Sequence, residues 1–213
     1  MTRPTTVVVV SGTGTEVGKT WVTAGIARAR RARGNVVEAR KPAQSFAAED
    51  SHPRDAEVLA DATGEDPSSV CPAHRSFALA MAPPMAADAL GCDPFTIADL
   101  VSETRWSDAV DVGLVEGAGG PRSPLASDGD TVDLARALAP DAIILVSDAG
   151  LGTINSVRLA TEPLRAVAPV VVFLNRYTDT DELHRRNRVW LERDHQVEIV
   201  LDALADRIAG QRP

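Results

Sequence analysis

Short apolar runs alternate along the chain with stretches of helical periodicity. Six runs predict strands: Thr6 to Val10, Val36 to Ala39, Val112 to Val115, Ala142 to Val146, Val170 to Leu174 and Val197 to Leu201. Most are almost unbroken in apolar character, as a strand covered on both faces requires. Helical spacing is read over Thr20 to Arg33, Asp55 to Ala62, Met85 to Leu90, Ile97 to Thr104, Val132 to Leu138, Ile154 to Ala166, Asp181 to Arg193 and Leu201 to Ile208. Strand and helix taking turns in this way predicts an α/β fold, a parallel sheet with helices on both faces. Ligands of such a sheet lie beyond the carboxyl ends of its strands. No internal repeat or low-complexity segment interrupts the rhythm. The proline-rich stretch from Asp66 to Pro94 reads as a long excursion from the sheet, within one domain spanning residues 1–213.

Composition narrows the classes. With 213 residues, 44% hydrophobic and 24% charged, the chain has room for a sizeable core. A net charge of −8 argues against wholesale nucleic-acid binding. The basic runs Arg28 to Arg33 and His184 to Arg188 read as solvated helix faces. Cys71 and Cys92 form no Cys-x-x-Cys pair, and the four histidines show no metal-ligand spacing on one helix. "MTRPTT" leads straight into the first predicted strand. We therefore expect no signal peptide, no membrane span, no nucleic-acid partner and a reducing, cytoplasmic setting.

The first predicted strand is followed by "GTGTEVGKT", Gly12 to Thr20, and then by a helix. Strand, glycine-rich loop, Lys-Thr and helix is an arrangement that cradles phosphate. Backbone N–H groups between Thr13 and Lys19 (through Gly14, Thr15, Glu16, Val17 and Gly18) can converge on phosphate oxygens. Gly14 and Gly18 are expected to supply the positive φ and close approach this needs. Lys19 can reach the β- and γ-phosphates, and the Thr20 hydroxyl can ligate Mg²⁺. The strict Walker A pattern wants glycine five positions before Gly18. Thr13 stands there, with Gly12 and Gly14 on either side.

Further candidates cluster at predicted strand ends. In "RKPAQS" Pro42 biases Lys41 toward an extended backbone, so Lys41 closes the second strand at the edge where the phosphate loop lies. Two lysines beside one triphosphate suggest a highly charged transition state. Asp55 opens a helix, where an N-cap role competes with a site role. Glu116 ends "GLVEGAGG" and can face a metal-bound γ-phosphate. Thr20, Asp55 and Glu116 together offer hard oxygen ligands suited to Mg²⁺. "DAGLGTIN", Asp148 to Asn155, is a second glycine loop opening a helix, able to hold a carboxylate or phosphate. Asn175, ending the next strand, has the donors and acceptor that purine-edge recognition needs. "MAPPMAADAL" reads as packing, along which an apolar tail could lie.

Taken together, "GTGTEVGKT", "KPAQS", "DAEVL", "VEGAGG", "GLGTIN" and "LNR", in this order, resemble the dethiobiotin synthetase family, over roughly the first five-sixths of the chain. The extra residue between Gly12 and Gly18 belongs to that family's loop pattern. The resemblance implies a P-loop NTPase fold and a homodimer with its active site at the interface. It implies Mg²⁺ as cofactor and 7,8-diaminopelargonic acid, CO₂ (or bicarbonate) and ATP as substrates. One amine captures CO₂ as a carbamate, which attacks the γ-phosphorus to give a carbamic-phosphoric anhydride. The second amine then closes the urea ring and releases phosphate.

The residue roles carry over position by position. Lys41 and Lys19 match catalytic positions; Ser45 matches a substrate contact, and so do Gly150, Leu151, Gly152, Thr153, Ile154 and Asn155. Thr20, Asp55 and Glu116 match the metal ligands. Gly14 to Trp21, Glu116, Gly117, Ala118 and Gly119 match nucleotide-contacting stretches, and Asn175, with Arg176, matches the base-recognition position. Phe46 stands where the family usually has Gly, and "VEIVLDALADRIAGQRP" lacks the usual C-terminal Gly-x-Ile-Pro-like base-binding stretch. Weak base selectivity is therefore expected.

Three other readings compete. Related amido-ligases carry a glutaminase domain, for which this chain leaves no room. Partitioning-type ATPase switches normally carry a second lysine early in the loop, where Gly12 to Gly14 stand. A degenerate paralogue would bind nucleotide without turnover.

Overall fold

The computed structural model describes residues 2–209; Met1 and the last four residues of the predicted 1–213 domain, which close the quoted C-terminal stretch, lie outside them. The strands are β1 (Thr6–Gly12), β2 (Val37–Arg40), β3 (Gln44–Ser45), β4 (Ser76–Phe77), β5 (Val112–Glu116), β6 (Pro124–Ala126), β7 (Gly129–Asp130), β8 (Ala142–Asp148), β9 (Val170–Asn175) and β10 (Gln196–Glu198). The helices are α1 (Lys19–Ala32), α2 (Asp55–Thr63), α3 (Pro67–Val70), α4 (Pro83–Ala89), α5 (Ile97–Glu103), α6 (Thr131–Leu138), α7 (Thr153–Arg165), α8 (Glu182–Leu191) and α9 (Leu201–Ala209).

Six strands form one parallel sheet in the order β10-β9-β8-β1-β5-β2, with β1 pairing both β5 and β8. The alternation of side chains along β1 sends Val7 and Val9 to one core and Val8 and Val10 to the other. The first core continues into Leu100 of α5, Leu134 of α6 and Leu164 of α7, and the second into Ile26 of α1, Leu59 of α2 and Leu204 of α9. Helices thus cover both faces, which is why the strands read as continuous apolar runs. This is the expected α/β architecture, a P-loop NTPase-type parallel sheet. Among the described residues no helix is long and apolar enough to cross a membrane, and Cys71 and Cys92 are unpaired.

Boundaries differ from the sequence reading where local chemistry decides. The last predicted strand stops at Glu198, because the apolar spacing from Leu201 onward is used by α9 to bury Leu204, Ala205 and Ile208. The predicted helix from Met85 begins two residues earlier, at Pro83, a residue suited to a first helical turn. The excursion is ordered: β4 pairs in parallel with β3, directly after the Lys-Pro motif, and Phe77 stacks on Phe95 with ring centroids 5.9 Å apart.

Candidate active site

Because β1 lies between β5 and β8, the loop leaving Gly12 opens where connections diverge to either side. In such sheets, that position creates a crevice at the carboxyl edge. Thr13 N–H donates to Val146 O on β8 at 2.9 Å. The chain then turns through two left-handed residues, Glu16 (φ 59°) and Gly18 (φ 94°). Gly14 was expected to share this role and does not: it is not left-handed, and a Cβ there would meet nothing within 4 Å. The longer loop places its reversal at Glu16 instead. Gly18 is doubly constrained, since a Cβ would come within 2.1 Å of Asn175 Nδ2. Lys19 is buried and donates to Gly14 O at 2.8 Å. Burial, and then the nearby Lys41, lower its pKa to about 8.

Register brings the acidic candidates beside this loop. Glu116 pairs with Val10, two residues before Gly12, and is wholly buried. Lys41 follows β2, buried, with its N–H donating to Val70 O of α3 at 2.8 Å. The excursion therefore fixes the backbone of the second lysine. Lys41 Nζ lies 2.7 Å from both Asp55 Oδ2 and Glu116 Oε1 and 3.1 Å from Gly117 O, so its three protons have three acceptors. Burial works against the charge of Lys41, but Glu116 and Asp55 outweigh it and hold the pKa above that of an ordinary lysine. The Lys41 ammonium in turn holds the Asp55 carboxyl below the usual range, against the opposing effect of burial.

Asp55 is not an N-cap. Arg54 occupies that position, and the Glu57 carboxylate accepts from Arg54 N–H at 2.8 Å, leaving Asp55 to face the cluster. Thr20 Oγ1 is 2.7 Å from Asp55 Oδ1 and 2.9 Å from Glu116 Oε1. A hydroxyl has one proton to give, so one of these oxygen contacts lacks a hydrogen. A divalent cation among these three groups would resolve it, and hard oxygen donors suit Mg²⁺. Among the described residues no group of three or more His, Cys, Asp or Glu forms a metal cluster. Any cation here would thus rely on the threonine as well. Thr23 Oγ1 donates to Glu116 Oε2 at 2.8 Å, fixing the carboxylate from α1; sequence reasoning passed over Thr23, although it lies one turn after Lys19.

The loop after β5 closes around the same point. Gly117 N–H donates to Val10 O at 3.0 Å, and the left-handed Gly119 (φ 63°) turns the chain so that Gly120 approaches Gly12 and Thr13. Ala118 lies half-buried between them. On the other side, Gly18, Trp21, Phe173, Asn175, Tyr177 and Ile199 line a cavity of about 480 Å³. Of these, Phe173, Tyr177 and Ile199 were not singled out from sequence; aromatic residues flanking "LNR" were the available signal. Asn175 sits in this wall, but its Nδ2 donates to Val17 O at 2.9 Å, and Arg176 donates to Glu16 O at 3.1 Å.

The second glycine loop is built alike. Gly152 (φ 91°) caps α7, and Leu151 is 91% exposed. Thr153 N–H turns back onto Gly150 O at 3.3 Å and is not free for an anion, while Asn187 donates to the carbonyls of Ala149 and Gly150. A hydroxyl chain links the two loops: Thr13 to Ser147 at 3.2 Å and Ser147 to Thr153 at 2.9 Å. Ile154 and Asn155 occupy the first turn of α7.

Ser45, on β3, donates to Met81 O at 2.5 Å. The packing expected of "MAPPMAADAL" falls to Ala86 and Ala87, which are buried, whereas Met81 and Met85 are about half exposed. Phe46 lies under the Arg54 guanidinium, 4.2 Å from its ring centre.

Comparison with known proteins places this geometry. A family model described as an AAA domain matches residues 6–203. The ATP-dependent dethiobiotin synthetase BioD of Rhodococcus jostii (strain RHA1) is 40% identical over 162 residues, covering 75% of this chain and 68% of that protein. BioD of Haloferax mediterranei is 38% identical over 196 residues, covering 90% and 81%. A plasmid partition protein from Borrelia burgdorferi superposes with a TM-score of 0.58 at 11% identity, covering 97% and 96%, which shows a shared fold alone. With a family model over residues 6–203 and relatives of that name aligned over 75% and 90% of its length, the chain belongs to the dethiobiotin synthetase family.

Proposed function

We propose that this chain forms dethiobiotin from 7,8-diaminopelargonic acid, CO₂ and ATP. The observation that carries the reading is the buried Lys41 held between Asp55 and Glu116 beside the Thr20 hydroxyl of the phosphate loop. A lysine kept charged at that place has one evident use, to meet negative charge that builds on a transferred phosphoryl group. The N–H groups of Gly14 to Thr20 and the Lys19 ammonium bind the triphosphate. Thr20, Asp55 and Glu116 would hold Mg²⁺, which when bound neutralises phosphate charge. Gly117 to Gly119 flank the γ-phosphate.

The diamine lies on the Lys41 side, near Ser45, with the half-exposed Met81 and Met85 offering an apolar surface for its chain. One amine takes up CO₂ as a carbamate. Its oxygen attacks the γ-phosphorus and ADP leaves, giving the mixed anhydride. The second amine then attacks the carbamoyl carbon, phosphate leaves and the urea ring closes. The substrate carboxylate, at the far end of an apolar chain, needs its own anion site. The N-terminus of α7, with Gly150 to Asn155, supplies one. We place that loop across a twofold homodimer, facing the partner's ATP, where Leu151 (91% exposed) and Leu159 (63% exposed) would be covered. A reducing cytoplasm suits its two unpaired cysteines.

The test is purified protein with ATP, bicarbonate and diaminopelargonate, followed for phosphate release and dethiobiotin. Nucleotide turnover that is independent of the diamine would overturn the reading. Sedimentation at micromolar concentration tests the dimer: an active monomer rules out the shared site.

A further inference from the structure

The wall of the 480 Å³ cavity carries Trp21, Phe173, Tyr177 and Ile199, and three of its polar side chains make contacts within the protein. Tyr177 hydroxyl donates to Asp179 at 2.9 Å. Arg176 donates to Glu16 O at 3.1 Å. Asn175, 8% exposed, spends its amide on Val17 O at 2.9 Å, and that amide fills the space a Cβ on Gly18 would need.

The carbonyls of Glu16 and Val17 are consecutive. They fall in the short stretch between the loop's two left-handed residues, Glu16 and Gly18. A backbone turned this way in a mobile loop relaxes unless its surroundings hold it. When a carbonyl is pinned outward, the N–H on the other side of the same peptide is pinned inward, because the peptide is planar and trans. Fixing Glu16 O and Val17 O therefore aims the N–H groups of Val17 and Gly18 into the loop, where phosphate oxygens bind. Arg176 is itself left-handed (φ 57°), which brings its side chain back over the loop.

We propose that Asn175 and Arg176 are positioning residues for the phosphate loop, holding the Glu16 and Val17 carbonyls outward whichever base lies in the cavity. This rests on the reading that the loop holds a triphosphate. It makes Asn175 and Arg176 matter to ligands that have no base at all.

The test measures Kd by calorimetry, below the melting transition, for Mg-ATP, Mg-CTP, Mg-GTP and inorganic tripolyphosphate. Wild type is compared with Asn175→Ala and Arg176→Met; the second residue is exposed, so its loss does not threaten the fold. Losing one net hydrogen bond weakens binding by about three- to tenfold. We expect that loss for all four ligands, tripolyphosphate included. A selective loss for one nucleotide, with tripolyphosphate unaffected, would make Asn175 a base reader and overturn the proposal. Wild type that binds none of the four would instead overturn the triphosphate reading beneath it.

Discussion

The molecule contains two loops of nearly the same construction. Each leaves the carboxyl end of a central strand, β1 or β8, runs through glycines and opens a helix, α1 or α7, behind a left-handed glycine: Gly18 at φ 94° and Gly152 at φ 91°. Both helix starts present N–H groups and a positive dipole end. Their surroundings separate them. The first is enclosed: Asn175 packs on Gly18, Lys19 and Lys41 lie inside, and two carboxylates face Thr20. The second is open, with nothing within 4 Å of a Cβ on Gly152 and with Leu151 almost wholly exposed. A helix start alone supplies N–H groups and a dipole end but no full charge. Charged groups brought from other strands turn one of two like loops into a candidate catalytic centre.

The sharpest break in this comparison removes the first loop's company while leaving the loop intact. Lys41→Gln should lower diamine-dependent phosphate release about 100- to 1000-fold, the loss seen when a preorganised donor to developing charge is removed, with Mg-ATP affinity nearly unchanged. Stopped-flow turnover beside equilibrium binding checks it; wild-type turnover would make Lys41 a structural lysine.

Next comes the loop's own cation. Lys19→Ala should weaken ATP binding about ten- to over a hundredfold, as loss of a charge-assisted hydrogen bond implies, making the first loop resemble the second. Titration calorimetry reads it directly.

A matched pair tests the difference in enclosure. Gly152→Ala adds only left-handed strain, about 1 kcal/mol, or a melting temperature lower by about 2–4 °C for a chain of this size. Gly18→Ala adds the same strain and a clash with Asn175, and should cost at least twice as much. Equal melting temperatures for the two variants would show that the first loop yields as freely as the second.

The smallest effect is in protons. The folded pKa of Lys19, about 8, lies below the 10.5 of an unconstrained lysine. Between these values the unfolded chain binds more protons than the folded one. The penalty is therefore fully present below pH 8 and is relieved as pH rises toward 10.5. Phosphate beside Lys19 should restore its proton, so nucleotide binding between pH 8 and 9 should take up protons. The observed binding enthalpy should then vary with the ionisation enthalpy of the buffer, whereas a substrate carboxylate at the second loop should take up none.

Legibility followed the range of the interactions involved. The strands β1, β5, β8 and β9 were readable because burial on both faces leaves nearly unbroken apolar runs, and the phosphate loop because Gly18, Lys19 and Thr20 are neighbours in sequence. The short pairs β3–β4 and β6–β7 left no periodicity to find. Asp55 kept two readings until α2 showed Arg54 in the capping position. Gly14 misled because glycine permits positive φ without requiring it, and here Glu16 took the strain.

The sequence by itself determined the layered α/β fold, the place of the phosphate loop and the identity of the charged residues near it, since all of these follow from local spacing and residue chemistry. Only the tertiary structure decided which charges meet. Parallel pairing of β1 with β5 sets Glu116 beside the loop, and α3 fixes the backbone of Lys41. The partner of Asn175 was likewise settled across 158 positions of chain, at Val17. Hydrogen bonds and ion pairs act over about 3 Å in space and carry no trace in the sequence of which distant residue lies at the other end.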